Sequence, residues 1–232
     1  MEPRRFDEFD EFANEYRSIH SENIKISGAD SFYFAEMKVK LLTAFEKNTS
    51  FNVLDIGCGD GVTQLFMLKY FSDWDITGID VSEKSIEAAL ERKLPRVSFS
   101  TYNGTQISFG DKTFDIIFMA GVLHHVEYSL HQTILKEVYR ILKNQGRFYI
   151  FEHNPLNPLT RYLVNTCVFD TDARLLKSSY TIKTLKKENF TRVKIFFIIF
   201  FPRKGFLSKL IFLEKYLQWV PFGGQYFIQA KK

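Results

Sequence analysis

Apolar positions along this chain change their spacing once, near residue 50. Before it, Phe34, Met37, Leu41, Leu42 and Phe45 recur at helical spacing, as on the buried face of one helix. Beyond it, short apolar runs alternate with amphipathic stretches. Phe51–Ile56 reads as a buried strand ending in glycines, followed by a helix over Val62–Phe71. Asp75–Asp80 is a second strand, and Ser82 is placed to cap a helix over Glu83–Arg92. Strands are predicted at Val97–Tyr102 and Phe114–Ala120, then a helix over Leu130–Leu142. Gly146 reads as the glycine closing that helix, and Arg147–Glu152 as a fifth strand. Thr181–Glu188 predicts a helix, with two closing strands at Val193–Phe201 and Tyr226–Ala230.

Strands alternating with helices predict an α/β fold, a mostly parallel sheet with helices on both faces. The closing strands lack a strong crossover helix, so they are expected to pair antiparallel at one edge. No repeat or Gly/Ser linker divides the chain. One domain is therefore expected over 1–232, with a helical cap over 1–48, a core over 49–154 and insertions plus closing strands over 155–232. Such sheets bind ligands beyond the carboxyl ends of their strands.

Composition narrows the class. With 45% hydrophobic and 25% charged residues, the chain reads as a globular protein. Its 25 phenylalanines are expected mainly as core filler. Two cysteines, Cys58 and Cys167, make no disulfide framework or zinc pattern, so no metal is expected. The N-terminal MEPRRFDEFDEF has no apolar signal region, and the longest apolar stretch, Ile195–Phe201, is far short of a bilayer span. A cytoplasmic setting is the expectation. The net charge of +4 conceals 14 Lys and Arg against four Asp and Glu from Pro155 onward. A solvated face, an anionic substrate or a membrane surface would each fit that basic third.

The chemistry concentrates after the first strand, in VLDIGCGDG. Gly57, Gly59 and Gly61 allow a tight turn and close approach of backbone to a ligand. A dinucleotide site would carry GxGxxG here. This chain has GxGxG, preceded by Asp55, whose carboxylate would repel a pyrophosphate and suit an amino group or a positive centre. Asp80, ending the second strand, can accept both hydroxyls of a ribose.

On these residues the chain resembles the class I S-adenosylmethionine-dependent methyltransferases, most specifically over residues 51–152. The resemblance implies S-adenosylmethionine as cofactor and a Rossmann-like, doubly wound, seven-stranded sheet whose last strand is antiparallel. It implies that Asp55, Gly57, Cys58, Gly59 and Gly61 wrap the amino acid moiety and that Asp80, with Val81 beside it, holds the ribose. The segment around Asn103 and Gly104 would meet the adenine, although the family usually carries Asp where Asn103 stands. Gly121 and Val122, in AGVLHHV, would flank the methyl-transfer centre, and Tyr16, in FDEFANEYRS, would close over the cofactor.

Methyl transfer needs alignment, and a base only when the acceptor arrives protonated. His153 leads the candidates because it follows the fifth strand in FEHNPLNPLTR, a loop expected to be stiffened by Pro155 and Pro158. His124 and His125 open the helix after the fourth strand, and His131, mid-helix, is expected at the surface. Leu207, Leu210, Ile211 and Leu217 recur at helical spacing, read as core packing or a substrate lid rather than a membrane-surface helix. The expected acceptor is a small molecule methylated on oxygen or nitrogen. A nucleic-acid methyltransferase is the nearest alternative, but neither a base-methylating Asn/Asp-Pro-Pro motif nor a Pro-Cys pair is present. A non-catalytic cofactor-binding subunit is the other; NAD-dependent oxidoreduction is disfavoured by the spacing and by Asp55.

Overall fold

The computed structural model describes residues 29–167 and 173–232. Helix α1 (Ser31–Leu42) begins where the Asp30 carboxylate accepts the Tyr33 N–H at 2.8 Å, and it buries Phe34, Val39 and Leu42. Strands β1 (Asn52–Ile56), β2 (Asp75–Asp80), β3 (Val97–Thr101), β4 (Phe114–Ala120) and β5 (Leu142–His153) run parallel. Strand β6 (Thr191–Ile198) forms the far edge, and β7 (Gln225–Lys231) lies antiparallel between β5 and β6. The order is therefore β3-β2-β1-β4-β5-β7-β6, a seven-stranded sheet with its last strand reversed, as expected. Strand order turns around between β1 and β4, which puts the ligand-binding crevice at their carboxyl ends.

Helices α2 (Val62–Tyr70), α3 (Glu83–Glu91), α4 (Tyr128–Ile141), α5 (Pro158–Thr166), α6 (Ser178–Lys187) and the single turn α7 (Glu214–Leu217) complete the described elements. Ser82 caps α3 as anticipated, its hydroxyl accepting the Ser85 N–H at 3.1 Å. Helix α5 was not anticipated. Asn157 caps it and Pro158 occupies its first turn, so this proline starts a helix rather than stiffening a loop.

Alternation along the strands feeds two cores. Ile117 and Met119 of β4, with Phe148 and Ile150 of β5, pack against Leu135 and Val138 of α4. Their neighbours Ile116, Phe118, Tyr149 and Phe151 face Leu42 of α1 and Met67 of α2. On that second face Phe151, Phe227 and Phe196 lie in register across β5, β7 and β6, with ring centroids 5.0 and 4.7 Å apart. Phenylalanine is core filler here, but not throughout: Phe206, Phe212 and Phe222 are exposed.

Gly146 does not close α4. The helix ends at Ile141, Leu142 pairs with Phe114, and residues 143–146 bulge out of the β4–β5 ladder, with Gln145 taking the left-handed backbone at φ +63°.

One polar cluster fastens the α1 side to the sheet. Arg147 grips the buried Glu46 carboxylate through Nε and Nη2, both at 2.7 Å, and the Tyr149 hydroxyl donates to it at 2.6 Å. Burial and the Glu46 charge push the Tyr149 hydroxyl far above its ordinary value, so it stays a donor. Glu46→Ala strands Arg147 and should lower the unfolding free energy by about 3 kcal/mol in urea titrations.

Candidate functional site

The glycine turn is tied to both neighbouring strands. Gly57 N–H and Cys58 N–H donate to the Ile79 carbonyl at 2.8 and 3.1 Å, fixing the turn to β2. Gly57 has φ +75°, and a Cβ there would stand 2.3 Å from Val122 Cγ2. The turns after β1 and β4 therefore touch, and only glycine permits it. At Gly59, with φ +54°, an added Cβ meets nothing within 4 Å, so this point of the turn faces open space. Gly61 begins α2 with no side chain capping the helix amides. The Cys58 side chain points away, buried against Gly78.

Asp80 closes the turn from β2. Its Oδ2 accepts the Gly59 N–H at 2.8 Å and its Oδ1 the Ser82 N–H at 3.0 Å, which orients the carboxylate towards the turn. Val81 follows half-buried.

Asp55 is 2% exposed and accepts the Gln64 amide at 2.5 Å. Burial raises its pKa well above the ordinary carboxylate value, while the Gln64 hydrogen bond and Lys38 pull it back. Gln64 Oε1 is buried without a protein donor. Lys38 of α1 is lowered by burial and drawn up again by Glu152 and Asp55. Neither Gln64 nor Lys38 was anticipated. Each is a polar residue at a position where helical spacing predicts burial, and that mismatch was the available signal.

Asn103 is a turn former. Its Oδ1 accepts from Gln106 N–H at 2.8 Å, Thr105 N–H at 3.1 Å and the Thr105 hydroxyl at 3.3 Å, with Gly104 at φ +80°. That oxygen can receive an adenine amine only by giving up one of these. Tyr16, the remaining expected contact, lies outside the described residues.

The turn after β4 carries the histidines. Gly121 N–H bonds the Phe151 carbonyl at 2.9 Å, and Leu123–His125 form a short 3-10 turn, not the start of a helix. Glu152, only 1% exposed, accepts the Leu123 N–H at 3.0 Å and the His124 Nδ1–H at 2.6 Å. The His124 ring centroid lies 4.2 Å from that of His125 and 5.3 Å from that of His153. All three predicted histidines gather at the ends of β4 and β5.

His131 is not at the surface. It is 1% exposed, with Nε2 at 2.9 Å from the Leu123 carbonyl and 3.0 Å from that of Val126. Carbonyls only accept, so Nε2 carries the hydrogen and Nδ1 accepts from the Tyr180 hydroxyl at 3.0 Å. Neutral His131 clamps the turn that carries His124 and His125, and burial lowers its pKa.

Asn154 and Asn157 serve structure. Asn154 Nδ2 donates to the carbonyls of Pro221 and Gly223 at 3.0 and 2.8 Å, and Asn157 Nδ2 to that of Phe222 at 2.8 Å. A separate shallow cavity of about 490 Å³, lined by Asn52, Asp75, Thr77, Arg96 and Ser98, opens at the amino ends of the strands, away from these groups. Among the described residues no group of His, Cys, Asp and Glu is arranged to hold a metal.

Residues 53–146 match the family described as methyltransferase domain. An uncharacterized protein of Methanocaldococcus jannaschii is 29% identical over 83% of this chain and 78% of its own length. The 27-O-demethylrifamycin SV methyltransferase of Amycolatopsis mediterranei is 32% identical over 41% of this chain, which spans 36% of that enzyme. Among solved structures, a methyltransferase of Thermotoga maritima described as a possible histamine N-methyltransferase superposes with a TM-score of 0.69. It is 21% identical, covering 97% of this chain and 98% of its own, and shows the shared fold.

Two outcomes follow from the geometry. Gly57→Ala should destabilise the fold by about 2–4 kcal/mol, through overpacking and left-handed strain together. Adding Val122→Ala should recover the packing part only, read by denaturant titration of both variants. Because His131 is lowered when folded, the unfolded chain binds the extra proton as pH falls through its ordinary value of 6.5. Stability contributed by this group is present above that pH and lost below it. His131→Gln should flatten that slope in stability measured against pH.

Proposed function

We propose that this chain, which belongs to the class I S-adenosylmethionine-dependent methyltransferases, moves a methyl group to an oxygen or nitrogen of a small molecule. S-adenosylmethionine, when bound, supplies an electrophilic methyl carried on a sulfonium. The glycine turn suits that group. Asp55 and the partnerless Gln64 Oε1 make it rich in acceptors, as a ligand bringing an amino group and a positive centre requires. The open space at Gly59 leaves backbone accessible, and Asp80 offers a ribose acceptor from β2. Gly57, Cys58 and Gly61 would wrap the amino acid end by backbone, Val81, Asn103 and Gly104 would border the adenosine, and Tyr16 would cover it.

The observation that carries the acceptor side is the histidine group at the ends of β4 and β5. Glu152 holds the His124 ring through Nδ1, and His153 sits against the same ring. A base at this edge takes the proton of a hydroxyl acceptor as the methyl arrives. His153, half-buried, meets the acceptor; His124 and His125 support it, and Glu152 is a positioning residue. Gly121 and Val122 border the transfer path. The rifamycin enzyme and the possible histamine enzyme, whose names give an oxygen and a nitrogen acceptor, support a small-molecule reading. A cytoplasmic setting belongs to the same proposal and rests on the two-cysteine sequence.

S-adenosylhomocysteine formation, measured across sugar nucleotides, small acids, amines and phenols, should identify a turned-over acceptor. On a hydroxyl acceptor, His153→Ala should lower kcat by about 10²–10⁴-fold while leaving S-adenosylhomocysteine affinity intact. Glu152→Gln should displace the pH profile of kcat. Asp80→Ala should weaken S-adenosylhomocysteine about 10–100-fold. Unchanged turnover in His153→Ala would remove that residue from the reaction, and tight S-adenosylhomocysteine binding without turnover of any acceptor would favour a non-catalytic subunit.

A further inference from the structure

The segment from Arg203 to Gly224 is built inside out. Its ion pair lies inward: Arg203 Nη2 meets Glu214 Oε2 at 3.0 Å, with side chains only 6% and 16% exposed. The second Glu214 oxygen accepts the N–H groups of Phe200 and Phe201 at 2.9 and 3.0 Å, locking the segment to the end of β6. Arg203 also lies over the Tyr33 ring of α1, with its guanidinium carbon 5.4 Å from the centroid. The large apolar side chains point the other way. Phe206 is 78% exposed and Trp219 79%, with Phe212, Tyr216 and Phe222 each at 60% or more. The 3-10 stretch Phe206–Leu213 buries none of its residues fully, and of its apolar side chains Leu210, Ile211 and Leu213 are half-buried while the aromatic rings are exposed.

Asn157 Nδ2, at the α5 cap, holds the Phe222 carbonyl, so the segment ends against the start of α5, whose Tyr162 is also exposed. Aromatic residues exposed in such number within one short segment mark a contact face. Its rim is cationic. Lys209 lies 5.9 Å from the Phe206 centroid and Lys215 4.8 Å from that of Tyr216, while Lys204 adds a third charge. Glu214, the acidic residue of the segment, is already paired inward with Arg203. Exposed Trp, Tyr and Phe ringed by lysines match the boundary between lipid headgroups and acyl chains, where aromatics insert and ammonium groups meet anionic phosphates. Among the described residues no helix is long and apolar enough to cross a membrane, so the contact is with its surface.

We propose that the outward face of residues 203–222, together with Tyr162 of α5, seats this protein on an anionic lipid surface. The surface adjoins the acceptor side of the sheet, because α5 follows directly from His153 at the end of β5. The inference goes beyond methyl transfer, and its test involves neither acceptor nor turnover.

Two tryptophans make the test direct. Trp74 is fully buried, stacked on Phe71 at 3.9 Å, so only Trp219 can report on the surface. With vesicles of phosphatidylglycerol in phosphatidylcholine, the full chain should co-sediment and its tryptophan emission should shift to the blue. Pure phosphatidylcholine vesicles should do neither. The double variant Lys209→Glu/Lys215→Glu, which keeps Trp219 and alters only exposed side chains, should lower partitioning by at least about tenfold. Trp219→Ser should weaken co-sedimentation without changing the thermal transition. An unchanged emission with the protein left in the supernatant would overturn the proposal. So would equal binding to neutral vesicles, or a concentration-dependent dimer that shields Trp219 without lipid.

Discussion

Everything at the acceptor side hangs on one buried carboxylate. Glu152, near the end of β5, has no water to solvate it and so must be met by donors from the protein. It finds them in the Leu123 amide and the His124 ring, both from the turn after β4. Two strands of the sheet are thereby joined at their carboxyl ends by hydrogen bonds to a charged group, the stronger kind. The same bonds fix the orientation of the His124 ring, which lies against His153. His131 closes the turn from below, donating to the Leu123 and Val126 carbonyls. The turn is thus held from two sides by residues that need not touch a ligand.

The cofactor side obeys a different constraint, which is steric. Val122 leans on Gly57 at a distance that leaves no room for a Cβ, so the β1 and β4 turns pack as one unit. Asp80 binds the middle of the glycine turn from β2, and the uncapped start of α2 remains available. Packing, not charge, sets the spacing here. The electrostatics come afterwards, from Asp55, Gln64 and Lys38, where burial leaves Gln64 Oε1 without a donor. The basic C-terminal third is a third region with a logic of its own. Its charged pair is folded inward and its aromatic rings are turned out, the reverse of a helix that packs on a core.

Much of this was legible in the chain. The β2 and β4 boundaries agree with the expected strands to the residue, because their buried centres, Ile76 to Ile79 and Ile116 to Met119, carry the apolar positions. The glycine turn and Asp80 were readable because backbone geometry and charge at strand ends demand particular residue types. The histidines of the β4 turn and His153 were readable as candidates from position alone. Their partner was not: Glu152 lies 28 residues from His124, and no local pattern marks the pairing. His131 was misplaced for a related reason. Its three partners lie on the preceding turn and on α6, so a mid-helix histidine that looks solvated is in fact enclosed.

The strand positions, the glycine turn and the carboxylate that faces it follow from residue type and spacing, since each reflects a local requirement of backbone or burial. Which polar groups meet was settled by folding. Gly146 shows the limit in one direction, because a glycine after a helix can serve a bulge in the next strand as readily as a cap. Leu207 to Leu217 shows it in the other. Helical spacing records that a run can present one apolar face, but not what that face meets. Here Glu214 and Arg203 found each other beneath the segment, and the hydrogen bonds they make to β6 and their packing on α1 turned the aromatic side towards solvent.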